Sequence, residues 1–422
     1  MAAAEPHIPD LTGALPAGPA AALDRMWTIL PEARLVGGAV RDLLAGRKVV
    51  DLDLATPRPP EAVVVAVEAA GLVAIPTGLA HGTVSVMVDG ERVEVTTLRR
   101  DVVTDGRHAT VAWTDDWRED AARRDFTFNA MSLDRAGVVH DCFGGLDDLR
   151  AGRVRFVGRA AERIAEDRLR ILRYFRFLAR FGSEGAPDAE AVGAIGADLG
   201  GLSALSAERV WSELRRLFET PAIGPVVGLM GRLGVFGALF GPSLRAEGAG
   251  LLLRLEAAAD ADTPPALVRL AALVRPGQAE RVAGLLRLSR AEGTGLAALL
   301  ASEALSPGAD DDALRAARDA EPAEVLAGRA WLAQAAVRGA PDAGWAALRT
   351  RLMTLPQPEF PLHGADVVAA GVAPGPKVGE ALAGMRGWWR GQGCRPERPD
   401  CLVELAQRLR HDLKEGFQGL SP

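Results

Sequence analysis

Two textures of apolar and polar positions follow one another along the chain. After a leader rich in Ala, Pro and Gly (residues 1–20), apolar residues recur at helical spacing over 21–30, which predicts a first short helix. An apolar run from Leu35 predicts a strand ending at Gly37 and Gly38, followed by a helix over 39–44, a strand over 49–54 and a helix over 60–70. Runs with β character at 83–88, 92–98 and 138–141 complete an α/β domain, residues 21–150. Beyond Arg150 the strand pattern stops. Residues 160–181, 207–218, 224–239, 251–259, 265–274, 279–288 and the chain from 313 onward carry apolar residues at helical spacing with Gly and Pro breaks. The expected fold class is therefore α+β, an N-terminal α/β domain followed by helices only. No fixed-period repeat interrupts this order.

Length and composition narrow the picture. A chain of 422 residues can hold roughly three domains. With 48% hydrophobic and 25% charged residues it has the composition of a folded chain rather than a disordered one. Only three of its 49 basic residues are lysine, a bias that follows from genome composition as readily as from function. A net charge of -6 excludes bulk polycation behaviour, so any nucleic-acid contact needs a local basic patch. Cys142, Cys394 and Cys401 are odd in number and widely spaced, which points to a reducing compartment, the cytoplasm by default, and away from a zinc site or disulfide framework. Residues 69–88 lack formal charge, but Gly71, Pro76, Gly78, His81 and Gly82 punctuate them like strands and turns, so no membrane span is expected. Glu5 and Asp10 stand where a signal peptide would be positive.

Candidate chemistry begins at Asp51-Leu52-Asp53. On a strand, side chains alternate, so both carboxylates face one way while Leu52 faces the core. Two carboxylates on one face suit Mg²⁺, which takes hard oxygen ligands from protein and from substrate phosphates. The same pattern also occurs on any solvated strand. Some ten residues earlier, Gly37-Gly38-Ala39-Val40-Arg41-Asp42 places two glycines at a strand end and an arginine on the following turn, which together suit a phosphate.

These segments, with His81-Gly82-Thr83-Val84, Glu94-Val95-Thr96-Thr97-Leu98-Arg99, Arg123-Arg124-Asp125-Phe126-Thr127-Phe128-Asn129-Ala130 and Glu166-Asp167-x-x-Arg170, resemble the ordered motifs of the class II tRNA nucleotidyltransferase and bacterial poly(A) polymerase family, a branch of the polymerase β superfamily. A weaker match continues at Leu205-Ser206-Ala207-Glu208-Arg209 and over 364–379. Leu98, Phe128 and Cys142 depart from the residues usual there, all at packing positions. The resemblance implies a head (21–150), a neck (151–220), a body (221–360) and a tail (361–422). The implied activity is template-independent addition of C, C and A to the 3′ end of tRNA from CTP and ATP, with release of pyrophosphate. Two metals about 3.5–4 Å apart would stabilise the entering and leaving oxygens. Poly(A) addition, CC-only or A-only addition, and a catalytically inactive RNA-binding protein are the alternatives. Against poly(A) addition stand the lack of a basic C-terminal extension and Thr77-Gly78-Leu79-Ala80-His81 where a Gly-Arg-Arg-Phe-like stretch would fall.

By the same resemblance, Asp51 and Asp53 are catalytic metal ligands, and Gly38, Arg41 and Arg124 hold the nucleotide. Glu94 is either a third catalytic carboxylate or a solvated edge residue. Arg123, Asp125 and Asn129 brace a helix start, with Asp125 as its cap. The neck supplies the basic patch: nine arginines lie in 151–182 against Glu162, Glu166 and Asp167. On one continuous helix Asp167, Arg170 and Tyr174 would share a face, and so would Glu166, Arg170 and Arg173. Asp167 as acceptor and Arg170 as donor would fit the base edge common to cytosine and adenine, with Arg173 and Arg176 as further nucleotide contacts. The other reading is a set of helix salt bridges. His81 is expected to be structural, and His411-Asp412 lacks an upstream partner for a metal phosphohydrolase site. Residues 364–379 form either a phosphate-holding turn that binds tRNA or a plain helical hairpin. The oligomeric state is left open.

Overall fold

The structure is a computed structural model that describes residues 7–8, 15–79, 82–104, 109–183, 187–259, 262–301 and 304–418. Seven strands form one mixed sheet in the order β3-β4-β5-β2-β1-β8-β9, with β1 Arg34–Val36, β2 Leu52–Thr56, β3 Val73–Gly78, β4 Thr83–Val88, β5 Glu91–Thr97, β8 Ser132–Leu133 and β9 Val139–His140. A separate hairpin pairs β6 (Arg99–Thr104) with β7 (Ala109–Trp113). Alternation explains the central strands: Leu52 and Leu54 of β2 and Val93 and Val95 of β5 are buried, while Asp53 and Glu94 lie between them on the opposite face. β2 and β5 run parallel, and their register sets Asp53 beside Glu94. Helices α1 (Ala17–Ile29), α2 (Gly38–Leu44), α3 (Pro60–Ala69), α4 (Trp117–Ala122) and α5 (Gly145–Arg150) complete this part of the chain.

Beyond Arg150 the described residues form helices and no named strand, as the periodicity predicted. The helix expected over 160–181 is two, α6 (Ala160–Glu166) and α7 (Leu169–Phe181). Asp167 between them is extended, with φ -154° and ψ 105°, and its Oδ1 accepts the Leu169 N–H at 3.1 Å. A short carboxylate competing for backbone N–H groups ends one helix and starts the next. The segment 224–239 also divides, into α10 (Gly224–Leu233) and α11 (Val235–Phe240), after α8 (Ala189–Ala197) and α9 (Ala207–Phe218). Among the described residues no single helix is long and apolar enough to cross a membrane.

The chain divides into two compact units, residues 1–220 with 232–239, and residues 221–231 with 240–422. In the first, α7 docks through aromatic rings. Phe126 lies 4.8 Å from Phe156 and 5.2 Å from Phe177, and Phe128 lies 5.4 Å from Phe177. Burying several such rings contributes more than any other apolar contact of comparable extent. The second unit has cores around Leu314, Leu348 and Leu352 and around Met385, Trp389 and Leu405. Its most deeply buried charge, Arg269, is paired with Glu256 at 2.6 Å.

Phe126 precedes and Phe128 sits within a single 3₁₀ turn, Thr127–Asn129, against which Gly145 packs. A side chain at 145 would strike the Thr127 carbonyl and the Phe128 backbone. Gly145→Ala is expected to lower stability by about 1–3 kcal/mol through overpacking, seen as a fall in the urea midpoint with an unchanged slope.

Candidate active site

A cleft of about 670 Å³ in the first unit collects residues from five separate stretches of chain. Asp51 and Asp53 come from the start of β2, and Gly37, Gly38 and Arg41 from the β1–α2 turn. Arg123, Arg124, Asp125 and Asn129 follow α4, Asp167, Arg170, Arg173, Arg176 and Arg180 lie on and before α7, and Arg209 and Arg216 on α9. Among the described residues the lining carries nine arginines, five aspartates and no lysine.

The acidic wall carries its charge at a cost. Asp53 is pushed up to about 6 by burial, then by the neighbouring carboxylates Glu94 and Asp51, with Arg124 pulling the other way. A divalent cation relieves such crowding. Among the described residues no group of three or more His, Cys, Asp or Glu is arranged to hold a metal by itself. Two neighbouring carboxylates are the kind of donor set that suits a divalent cation when ligand oxygens complete the shell. Glu94 lies beside Asp53 in the sheet, but its Oε1 takes the Arg92 guanidinium at 2.5 Å, and Glu94 is absent from the cleft lining.

The glycine pair lines the same cleft. Gly37 has φ +66°, and a Cβ there would lie 2.9 Å from Arg124 Nη1, so the turn tolerates only glycine while Arg124 crosses it. Arg41 is buried. Its Nη1 donates to Asn129 Oδ1 at 2.6 Å, its Nε and Nη2 donate to Asp42 Oδ1 at 3.0 Å, and its guanidinium lies 4.8 Å from the Phe181 ring centroid.

From Asn129 a hydrogen-bonded chain runs to both helical walls. Asn129 Nδ2 donates to Asp125 Oδ1 at 2.9 Å, and Arg173 Nε donates to Asp125 Oδ2 at 2.8 Å. Glu213 of α9 then accepts from Arg173 at 3.4 Å and from Arg176 at 2.5 Å. Burial works against the Arg173 cation, but Asp125 and Glu213 outweigh it and raise its pKa. Arg176 has only Glu213 against burial and two neighbouring cations, and is lowered. Asp125 caps no helix, contrary to the expectation: its Oδ1 takes the Phe126 N–H at 2.8 Å and the Asn129 amide, because the segment it begins is one 3₁₀ turn capped by backbone alone.

The expected helical face of Asp167, Arg170 and Tyr174 is corrected by the break at Asp167. Asp167 Oδ2 accepts from Arg209 Nη2 at 2.6 Å. Arg170 Nη1 donates to Glu166 Oε2 at 2.6 Å and its Nη2 to the Arg123 carbonyl at 3.2 Å. Both side chains line the cleft, each tied to a different neighbour, whereas Tyr174 is buried in the aromatic core. Arg180 belongs to the basic patch expected over 151–182, whereas sequence reasoning missed Asp120, Glu213 and Arg216. Asp120, buried on α4, accepts from Arg123 at 2.7 Å and from Arg124 at 3.2 Å. Burial alone would raise its carboxyl; the two arginines hold it below the ordinary range. Its spacing from them, i+3 and i+4, was the available signal. His81 lies outside the described residues. In the second unit, residues 364–379 form one short helix (Gly364–Ala369), a turn and the start of a longer one (Pro376–Gly391), with Asp366 accepting the His363 N–H at 2.8 Å.

A mixed sheet with paired aspartates beside a glycine turn and a helical arginine wall defines a nucleotidyltransferase of the polymerase β type. Residues 33–155 match the Poly A polymerase head domain. The mitochondrial CCA tRNA nucleotidyltransferase 1 of Danio rerio is 36% identical over 383 residues, which is 89% of this chain and 87% of that protein. The CCA-adding enzyme of Geobacillus stearothermophilus is 38% identical over 210 residues, 48% of this chain and 50% of that one. The crystal structure of the Bacillus stearothermophilus CCA-adding enzyme in complex with CTP aligns at TM-score 0.74 and 28% identity, covering 93% of this chain and 99% of that chain. The chain belongs to the CCA tRNA nucleotidyltransferase family. Nucleotidyltransferases of this type generally use divalent metals.

Removing Glu213 would strip the buried Arg176 of its carboxylate and leave the half-buried Arg173 with Asp125 alone. Glu213→Ala is expected to destabilise the protein by roughly 3–5 kcal/mol, measured by urea unfolding, whereas Glu162→Ala on the exposed surface should cost under about 1 kcal/mol.

Proposed function

We propose that this protein adds C, C and A to the 3′ end of tRNA from CTP and ATP, without a template and with release of pyrophosphate. The observation that carries this reading is the single cleft that brings Asp51 and Asp53, the glycine pair and the Asp167/Arg170 pair within one nucleotide-sized space. The relatives' names and the CTP complex of one of them support the choice over poly(A) addition.

Asp51 and Asp53 would hold Mg²⁺, with Glu94 joining them on exchanging its Arg92 partner. Bound there, the metal supplies charge stabilisation for the attacking and leaving oxygens. Gly38, Arg41 and Arg124 receive the triphosphate, so that the RNA 3′ oxygen forms its bond to the α-phosphorus as the bond to pyrophosphate breaks. The Asp167 carboxylate accepts the exocyclic amine of cytosine or adenine, and Arg170 donates to the adjacent ring acceptor. Uracil and guanine set donor against donor and acceptor against acceptor. Arg173 and Arg176 contact the nucleotide and form the wall against which it lies. Residues 361–422 contribute tRNA contacts. The three free cysteines, Cys142, Cys394 and Cys401, suit a reducing compartment such as the cytoplasm.

The decisive experiment incubates the purified protein with tRNA lacking CCA, tRNA ending in CC and an unstructured RNA, each with single labelled nucleotides. Two Cs and then one A on tRNA are expected; a homopolymer of A, or arrest after CC, would select an alternative. Asp51→Ala and Asp53→Ala should each abolish incorporation with folding retained, since neither change opens a core cavity. Asp167→Ala should raise the ratio of UTP to CTP incorporation by about tenfold or more, because each mismatched buried group costs about 1–3 kcal/mol. Equal loss for all nucleotides with discrimination kept would remove Asp167 from base selection.

A further inference from the structure

Positive charge is matched unevenly along the two helices that wall the cleft. On α7, Arg173, Arg176 and Arg180 follow at i, i+3 and i+7; on α9, Arg209, Glu213 and Arg216 follow at i, i+4 and i+7, so each set shares one helical face. Near the helix starts, carboxylates answer the arginines: Asp167 takes Arg209, Asp125 and Glu213 take Arg173, and Glu213 takes Arg176. Toward the C-terminal ends this matching stops. Arg216 is exposed, lines the cleft and forms no ion pair among the described residues. Among the described residues the one carboxylate Arg180 reaches is Asp42, at Oδ2 and 3.4 Å, while the other oxygen of that carboxylate already binds Arg41 at 3.0 Å.

These cations also feel one another. Burial lowers Arg41, Asp42 partly restores it, and Arg180 and Arg176 lower it again; Arg216 acts likewise on Arg176. Convergent guanidiniums repel unless an anion joins them. Arg180 is also held in place, its guanidinium 5.3 Å from the Phe181 ring centroid. The planar fork of arginine suits a phosphate oxygen pair.

We propose that Arg180 and Arg216 form a phosphate subsite at the C-terminal ends of α7 and α9, separate from the glycine pair and Arg41. The subsite rests on the nucleotidyl-transfer reading of the same cleft. Its phosphate belongs either to the tRNA strand or to the nucleotide triphosphate, which share one chemistry and are separated by the test.

The full-length protein and its Arg180→Ala, Arg216→Ala and doubly substituted variants are titrated with tRNA lacking CCA and, separately, with CTP over a salt series. A single substitution is expected to weaken one ligand by about tenfold, with partial recovery in Arg216→Lys. If the ligand is the RNA strand, the slope of log affinity against log salt falls by about one unit per contact removed, with CTP binding unchanged. If it is the triphosphate, CTP binding weakens and the tRNA slope stays. Arg25→Ala, outside the cleft, controls for net charge, and thermal midpoints control for folding. A folded double variant that binds both ligands within about twofold of the parent, with the same salt slope, would overturn the subsite. A parent that binds both ligands but adds no nucleotide would overturn the transfer reading and leave the subsite standing.

Discussion

The cleft depends on neutralising arginines that have been taken out of water. A buried guanidinium without a partner is expensive, and this site holds two buried ones, Arg41 and Arg176, among several half-buried arginines. The solution is a shared chain of acceptors: Arg41 on Asn129, Asn129 on Asp125, Asp125 on Arg173, and Arg173 with Arg176 on Glu213. That chain crosses from α2 through the 123–129 segment to α7 and α9, so four pieces of backbone take their positions from one set of charges. The aromatic core around Phe126 and Phe177 fixes the same segments from the apolar side. Moving any one member strands a charge or opens a ring contact.

Much of this was legible in the sequence because the signals were local. The alternation around Asp51 to Leu54, the glycine pair and the dense arginines of 151–182 each follow from a few adjacent residues, and the α+β division follows from a change of period. What was illegible depended on distant partners. Glu213 meets arginines 37 and 40 positions away, which no spacing rule can announce. The break at Asp167 was hidden because apolar periodicity continues through it, from Ile164 to Ile171, while a side-chain carboxylate takes over one backbone N–H. Asp120 lies at helical spacing from Arg123 and Arg124, a local signal, but its burial, which makes the pairing matter, comes from tertiary packing.

The break also changes what base selection would mean physically. Asp167 is fastened to α9 through Arg209, and Arg170 is fastened to α6 through Glu166 and to the 123 carbonyl. The donor and acceptor thus owe their separation to three helices and not to the pitch of one. A base edge measured by such a pair is compared with the packing of the whole neck.

The absence of lysine from the cleft lining has a chemical consequence of its own. An amine can be acylated by reactive metabolites such as acyl phosphates or thioesters, and each such event erases a positive charge. A guanidinium, which stays protonated to pH values far above any cellular one, offers those reagents no comparable nucleophile. A wall made only of arginines keeps its charge through shifts in metabolic acylation that would discharge a wall made of lysines.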